Sequence, residues 1–223
     1  MLKNKTIGIL GGIGPESSAI FYLDLIKSIQ KNFNINSTSD YPQIIINNIA
    51  VADLVEKNIS KTNIEPILKG LKELDKFKPD FNVIICNSSY SFYDYLTSNT
   101  ETELLNLEYI VEKYLNTNKI INIGIIGTNI TVSSLYEFYD NRKYLVSEKY
   151  QLRIDNLITN FNKGKQKTND KKELEIIISN LLNQGAEYVL LACTELGLIG
   201  KGIKNTIDPM KLLIDEIIER LKN

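Results

Sequence analysis

The chain has 223 residues, 43% hydrophobic and 24% charged, with 26 Lys and Arg against 27 Asp and Glu and no histidine at all. Those proportions suit a folded protein of one large or two small domains, and a net charge of −1 with scattered lysines argues against nucleic acid or a membrane surface as partner. The missing histidine excludes Ser-His-Asp and Cys-His nucleophile pairs, imidazole shuttles and most catalytic zinc sites, so proton transfer falls to Cys, Lys, Tyr or carboxylates.

In chain order, short β-branched runs alternate with longer helical periods, the pattern of a parallel α/β architecture. Thr6 to Leu10 reads as a buried strand closed by Gly11-Gly12, and Pro15-Glu16 opens a helix to about Lys31 with Ile20, Leu23, Ile26 and Ile29 on one face. A strand at Gln43 to Asn47 and a helix at Ile64 to Phe77, carrying Ile67, Leu68, Leu71 and Leu74, come next. Lys78-Pro79-Asp80 breaks that helix before the strand Phe81 to Ile85, which ends in Cys86. The second half repeats the plan. It has a strand at Ile120 to Ile126 ending at Gly127-Thr128 and helices at Val132 to Tyr139, Glu148 to Asn162 and Glu173 to Asn183. Gln184-Gly185-Ala186 turns into a strand at Glu187 to Ala192, with Cys193 directly after it. A short strand at Thr206-Ile207 and a helix from Pro209 to Lys222 close the chain.

The halves match in detail. Lys5 to Gly11 resembles Ile121 to Gly127, and Asn82 to Ser88 resembles Val189 to Glu195. Two similar Rossmann-like or flavodoxin-like half-domains follow, 1–100 plus 206–223 and 101–205, each ending a strand in a cysteine. In open α/β sheets, ligands bind beyond the carboxyl ends of the strands, where both thiols are expected. A following helix N-terminus would lower their pKa. With no CxxC pair, the thiols are expected free, in a reducing cytoplasm. No stretch approaches the roughly 18 apolar residues of a membrane span. Two facing thiols suit removal of a proton from a carbon alpha to a carboxylate and its return to the opposite face, a racemisation without pyridoxal. The glycines of Gly11-Gly12-Ile13-Gly14 miss the dinucleotide fingerprint, because Ser17 holds the third glycine position. A loop binding a small carboxylate explains them as well.

At these residues the sequence resembles the aspartate/glutamate racemase family. Gly11-Gly12-Ile13-Gly14-Pro15-Glu16-Ser17-Ser18 is similar to its GGMGPEAT signature and Cys86-Asn87-Ser88-Ser89 to CNTA. Cys193-Thr194-Glu195 is similar to the end of GCTE, and Ile207-Asp208-Pro209-Met210 to IDPM. The resemblance implies a cofactor-free, often dimeric enzyme with its active site in the cleft between two pseudo-symmetric domains. The substrate implied is an acidic amino acid, aspartate first. It places the acid/base thiols on Cys86 and Cys193. Substrate contacts are expected from Gly12, Ile13, Asn87, Ser88, Ser89, Thr128, Thr194 and Glu195, with Lys163 as the carboxylate-binding lysine. No metal is expected. Tyr90 stands where the family commonly has histidine, and Leu54, in Ala52-Asp53-Leu54, where aspartate-specific members carry arginine. Two alternatives stand beside the racemase: a relative that binds a small carboxylate without turnover, and an enzyme of the hydantoin racemase or maleate isomerase kind.

Overall fold

The computed structural model describes residues 2–52, 54, 61–136 and 142–222. Two parallel sheets form the frame. The first has strand order β2-β1-β3, from β1 (Thr6–Gly11), β2 (Gln43–Asn48) and β3 (Phe81–Ile84). Between them run α1 (Pro15–Asn32) and α2 (Lys61–Asp75), and after β3 a 3₁₀ segment (Asn87–Phe92), α3 (Tyr93–Thr97) and α4 (Leu107–Thr117). The second sheet has order β5-β4-β6-β7, from β4 (Ile123–Gly127), β5 (Lys143–Leu145), β6 (Tyr188–Ala192) and β7 (Thr206–Ile207). Its helices are α5 (Asn129–Ser134), α6 (Glu148–Asn162), α7 (Asp170–Asn183) and α8 (Thr194–Ile199), and α9 (Pro209–Lys222) ends the chain.

The sequence repeat reappears as ladder register. Gly8 of β1 pairs with Asn82, four residues before Cys86, and Gly124 of β4 pairs with Val189, four residues before Cys193. Each cysteine therefore leaves its sheet at the same height. The α/β class with two parallel sheets is as expected, and β7 and α9 begin and end where the sequence placed them. Contacts cross the boundaries of the expected units. β7 is laddered to β6, so 206–207 extends the second sheet, while α9 lies against α1 and α4. At the other cut, Leu104 bridges to Asn82 beside the first sheet.

Three differences have local causes. Cys86 stands outside β3 as the cap of the 3₁₀ segment, because the chain turns as soon as Ile85 N–H has bonded Leu10 C=O at 2.9 Å. β4 starts at Ile123 because the Glu187 carboxylate takes the amides of Ile121 and Asn122 at 3.0 and 2.8 Å, ending the ladder there. On α1 the buried side is Ser17, Phe21, Leu25 and Ile29, and Leu23 is exposed. The first turn sets that rotation, since Ser18 Oγ accepts from Gly12 N–H and donates to Gly14 C=O, both at 2.9 Å. The expected helix at Val132 to Tyr139 is observed as α5, three residues earlier, capped by Thr128. Its expected end at 137–139 lies outside the described residues.

Candidate active site

Both cysteines face one cleft at the carboxyl ends of the two sheets. The cleft has an empty volume of about 310 Å³. The first half contributes Ile13, Leu54, Cys86, Asn87 and Ser88, and the second Thr128, Ile158, Asn162, Cys193, Thr194 and Glu195. Eight of the eleven expected site residues are thus brought together. Three are not. Ser89 is fully buried behind Cys86, and Gly12 lies one residue back from the lining. Lys163 is exposed at the C-cap of α6, one residue past the lining residue Asn162.

Gly12 acts on the backbone. Its φ is +97°, and a Cβ there would stand 2.0 Å from the Ile49 carbonyl oxygen, so only glycine lets the loop turn Ile13 into the cleft.

The thiol of Cys86 sits between β3 and the 3₁₀ turn. Burial pushes it up to about 11, while the nearby Ser89 hydroxyl and the Ser89 and Ser88 amides pull it down. Tyr90, at the family's histidine position, clips this turn to the strand. Its buried phenol oxygen accepts from Ile84 N–H at 3.2 Å and donates to Ile84 C=O at 3.4 Å. Burial also raises the phenol well above its ordinary range, so Tyr90 stays a neutral anchor. The Asn87 side chain receives a hydrogen bond from Tyr136 Oη at 3.4 Å, and its Nδ2 is a buried donor with no partner among the described residues, in a residue lining the cleft.

Cys193 is set differently. Its thiol donates to Glu195 Oε2 at 2.8 Å, and burial, followed by that carboxylate, raises it well above the usual thiol range. Glu195 is itself buried, taking Thr194 Oγ1–H on Oε2 at 2.9 Å and Ser17 Oγ–H on Oε1 at 3.4 Å. The expected lowering of both thiols by a helix N-terminus is therefore overturned. The 3₁₀ turn and α8 are each six residues long, and desolvation outweighs them.

Three hydroxyls join the halves. Ser88 Oγ lies 2.8 Å from Thr128 Oγ1 and 3.0 Å from Thr131 Oγ1, which are 2.9 Å apart. Sequence reasoning missed Thr131, Ser17, Ile158 and Asn162. The first two are small polar residues in helical first turns, a signal that was available. Ile158 and Asn162, one turn apart on α6, look like any helical face until the fold points them at the thiols.

The comparisons with known proteins give the family and the fold. The family described as Asp/Glu/Hydantoin racemase matches residues 10–217. A broad-specificity amino-acid racemase of Bacillus subtilis (strain 168) is 23% identical over 208 residues, 90% of this chain and 90% of that protein. An aspartate racemase homologue from Pyrococcus horikoshii OT3 is 18% identical with a TM-score of 0.77, over 98% of this chain and 100% of the other. Picrophilus torridus aspartate racemase is 20% identical with a TM-score of 0.73, over 98% of this chain and 94% of the other.

Proposed function

The chain belongs to the Asp/Glu/Hydantoin racemase family, and from that premise we propose that it interconverts the L and D enantiomers of an amino acid without a cofactor, using Cys86 and Cys193 as the paired acid and base. The observation that carries the reading is the placement of the two thiols. They leave equivalent strand ends and line one cleft between the halves.

In the forward step one thiolate takes the proton from Cα, and the bonding pair passes into the adjacent carboxylate as an enediolate. The opposite thiol then gives its proton to the other face of Cα. Thiol and thiolate have exchanged places, and the same pair serves the reverse reaction. The Asn87 Nδ2 donor, with the hydroxyls of Ser88, Thr128 and Thr194, lines the cleft where the substrate carboxylate would acquire charge. Tight enclosure raises both thiols, and the substrate ammonium supplies the positive charge that favours a thiolate when it binds.

The resemblance of the motifs supports an acidic substrate, aspartate first. A second reading, a neutral side chain, is favoured by the apolar wall of Ile13, Leu54 and Ile158 and by Lys163 standing exposed outside the lining. The test is exchange of the α-proton in deuterium oxide over acidic and neutral amino acids, followed by NMR and chiral chromatography. Cys86→Ala and Cys193→Ala should each lower racemisation by at least about 10²–10⁴-fold, the usual share of a positioned acid or base. Each should keep exchange for one enantiomer only, and the two variants for opposite ones. Undiminished racemisation in either variant, or no exchange with any amino acid by the parent protein, overturns the reading.

A further inference from the structure

The two thiols stand at matching places in matching halves, yet their immediate partners have opposite character. Cys86 caps a turn whose Ser88 and Ser89 amides and Ser89 hydroxyl pull its thiol down against burial, and among the described residues no carboxylate bonds its sulfur. Cys193 is faced by an acceptor, Glu195 Oε2 at 2.8 Å. The carboxylate is fixed there by Thr194 and Ser17 and is as buried as the sulfur it touches, so it has little freedom to turn away. Donors favour a thiolate, whereas a carboxylate requires a proton between itself and the sulfur.

We propose that Glu195 makes the thiols unlike: in the free enzyme Cys193 is kept as the proton-bearing acid, and Cys86 is the thiol that ionises first and acts as the base. Glu195 is thus a positioning residue, working through Cys193. The resting enzyme is poised for one enantiomer, the one whose α-proton faces Cys86, and must pass a proton from Cys193 to Cys86 before it can take the other. The other titratable groups around the pair do not blur the asymmetry. Among the described residues, Cys86 and Glu195 are the ionisable groups that act on Cys193. The Tyr90 phenol behind Cys86 is buried and neutral, bonded to Ile84. Burial raises both thiols, and Glu195 raises both as well, but it bonds the Cys193 sulfur directly and reaches Cys86 only through space.

The acid and base roles rest on the racemase reading, but the order of ionisation does not, and it can be read with no substrate present. The full-length protein is treated with iodoacetamide at pH 8, and alkylation of each cysteine is followed by peptide mass spectrometry. The two sulfurs line the same cleft and are almost equally enclosed, with Cys86 7% and Cys193 6% exposed, so access does not choose between them. Cys86 should react at least about tenfold faster, the thiolate ratio given by one pKa unit. Glu195→Gln keeps the shape of the side chain and removes its charge. It should raise the Cys193 rate about tenfold or more and change that of Cys86 by less than about threefold. Equal rates in the parent protein, or faster alkylation of Cys193, overturn the proposal whether or not any variant folds. So does a folded Glu195→Gln protein whose Cys193 rate is unchanged. Failure of racemisation alongside the expected labelling order would instead count against the reaction and leave the asymmetry standing.

Discussion

At the scale of single residues, the thiols and phenols around the cleft carry a signature in stability. Burial raises Cys86 from 9.0 to about 11, and it moves Cys193, Tyr90 and Tyr136 in the same direction. An unfolded chain releases the thiol protons near pH 9 and the phenol protons near 10, while the folded protein still holds them. The folded state then binds more protons, and stability falls as pH rises through this window. Below pH 9 the effect is absent, because both states are protonated. Cys86 alone should cost roughly 2 kcal/mol by pH 11. Urea denaturation at pH 8 to 11 should show the decline, and Cys86→Ala should make it shallower by about that amount. A flat profile from pH 9 to 11 would show that the thiol is not desolvated. The sequence displayed both cysteines and the absence of histidine but not this shift. Proximity to a helix start is legible in sequence, whereas the enclosure that reverses its effect is assembled from Ile13, Leu54 and Ile158, which are remote from one another along the chain.

At the scale of elements, the cleft depends on how the turn after β3 is held to the turn after β4. The Ser88, Thr128 and Thr131 hydroxyls make that joint, all three buried and mutually bonded at 2.8 to 3.0 Å. Ser88→Ala removes one corner and leaves the two threonines bonded to each other. The expected cost is about 1 kcal/mol, a fall in Tm of about 2–4 °C for a chain of this size. A double-mutant cycle with Thr131→Val should return a coupling of at least about 0.5 kcal/mol. An unchanged Tm and zero coupling would reduce the joint to mere proximity. Thr128 was legible as the residue ending a glycine-closed strand, and Ser88 as the neighbour of a cysteine. Their meeting was not legible, since it needs the turn after β3 brought against the start of α5, 40 residues further along the chain. α4 was passed over although Leu107, Ile110, Val111 and Leu115 keep helical spacing, with Asn106 as a cap bonded to Tyr109 N–H.

At the scale of the whole molecule, the repeat suggests two units, but the core argues for one cooperative body. Ile7 and Val83 of the first sheet belong to the same buried cluster as Ile123, Ile125, Leu190 and Ile207 of the second. Leu107 and Val111 of α4, with Leu213 and Ile217 of α9, complete that cluster. A second cluster, around Ile154, Ile177 and Leu181, covers the other side of the second sheet. α9 is the strut: it follows directly on β7 of the second sheet yet packs on α1 of the first half. Separating the halves would expose the inner side of both sheets at about 25 cal/mol per Å² of apolar surface, a cost no hinge compensates. Unfolding should therefore be a single event. Far-UV circular dichroism and the fluorescence of the 12 tyrosines, spread through both halves in a chain with no tryptophan, should trace coincident urea transitions. Leu213→Ala, at a fully buried position on the strut, should lower stability by about 2–5 kcal/mol and move both traces together. If the strut were only an appendage of one half, that substitution would split the traces, with one half melting ahead of the other. The cleft would then open by parting of the halves, and the two thiols would lose their common site before either sheet unfolded.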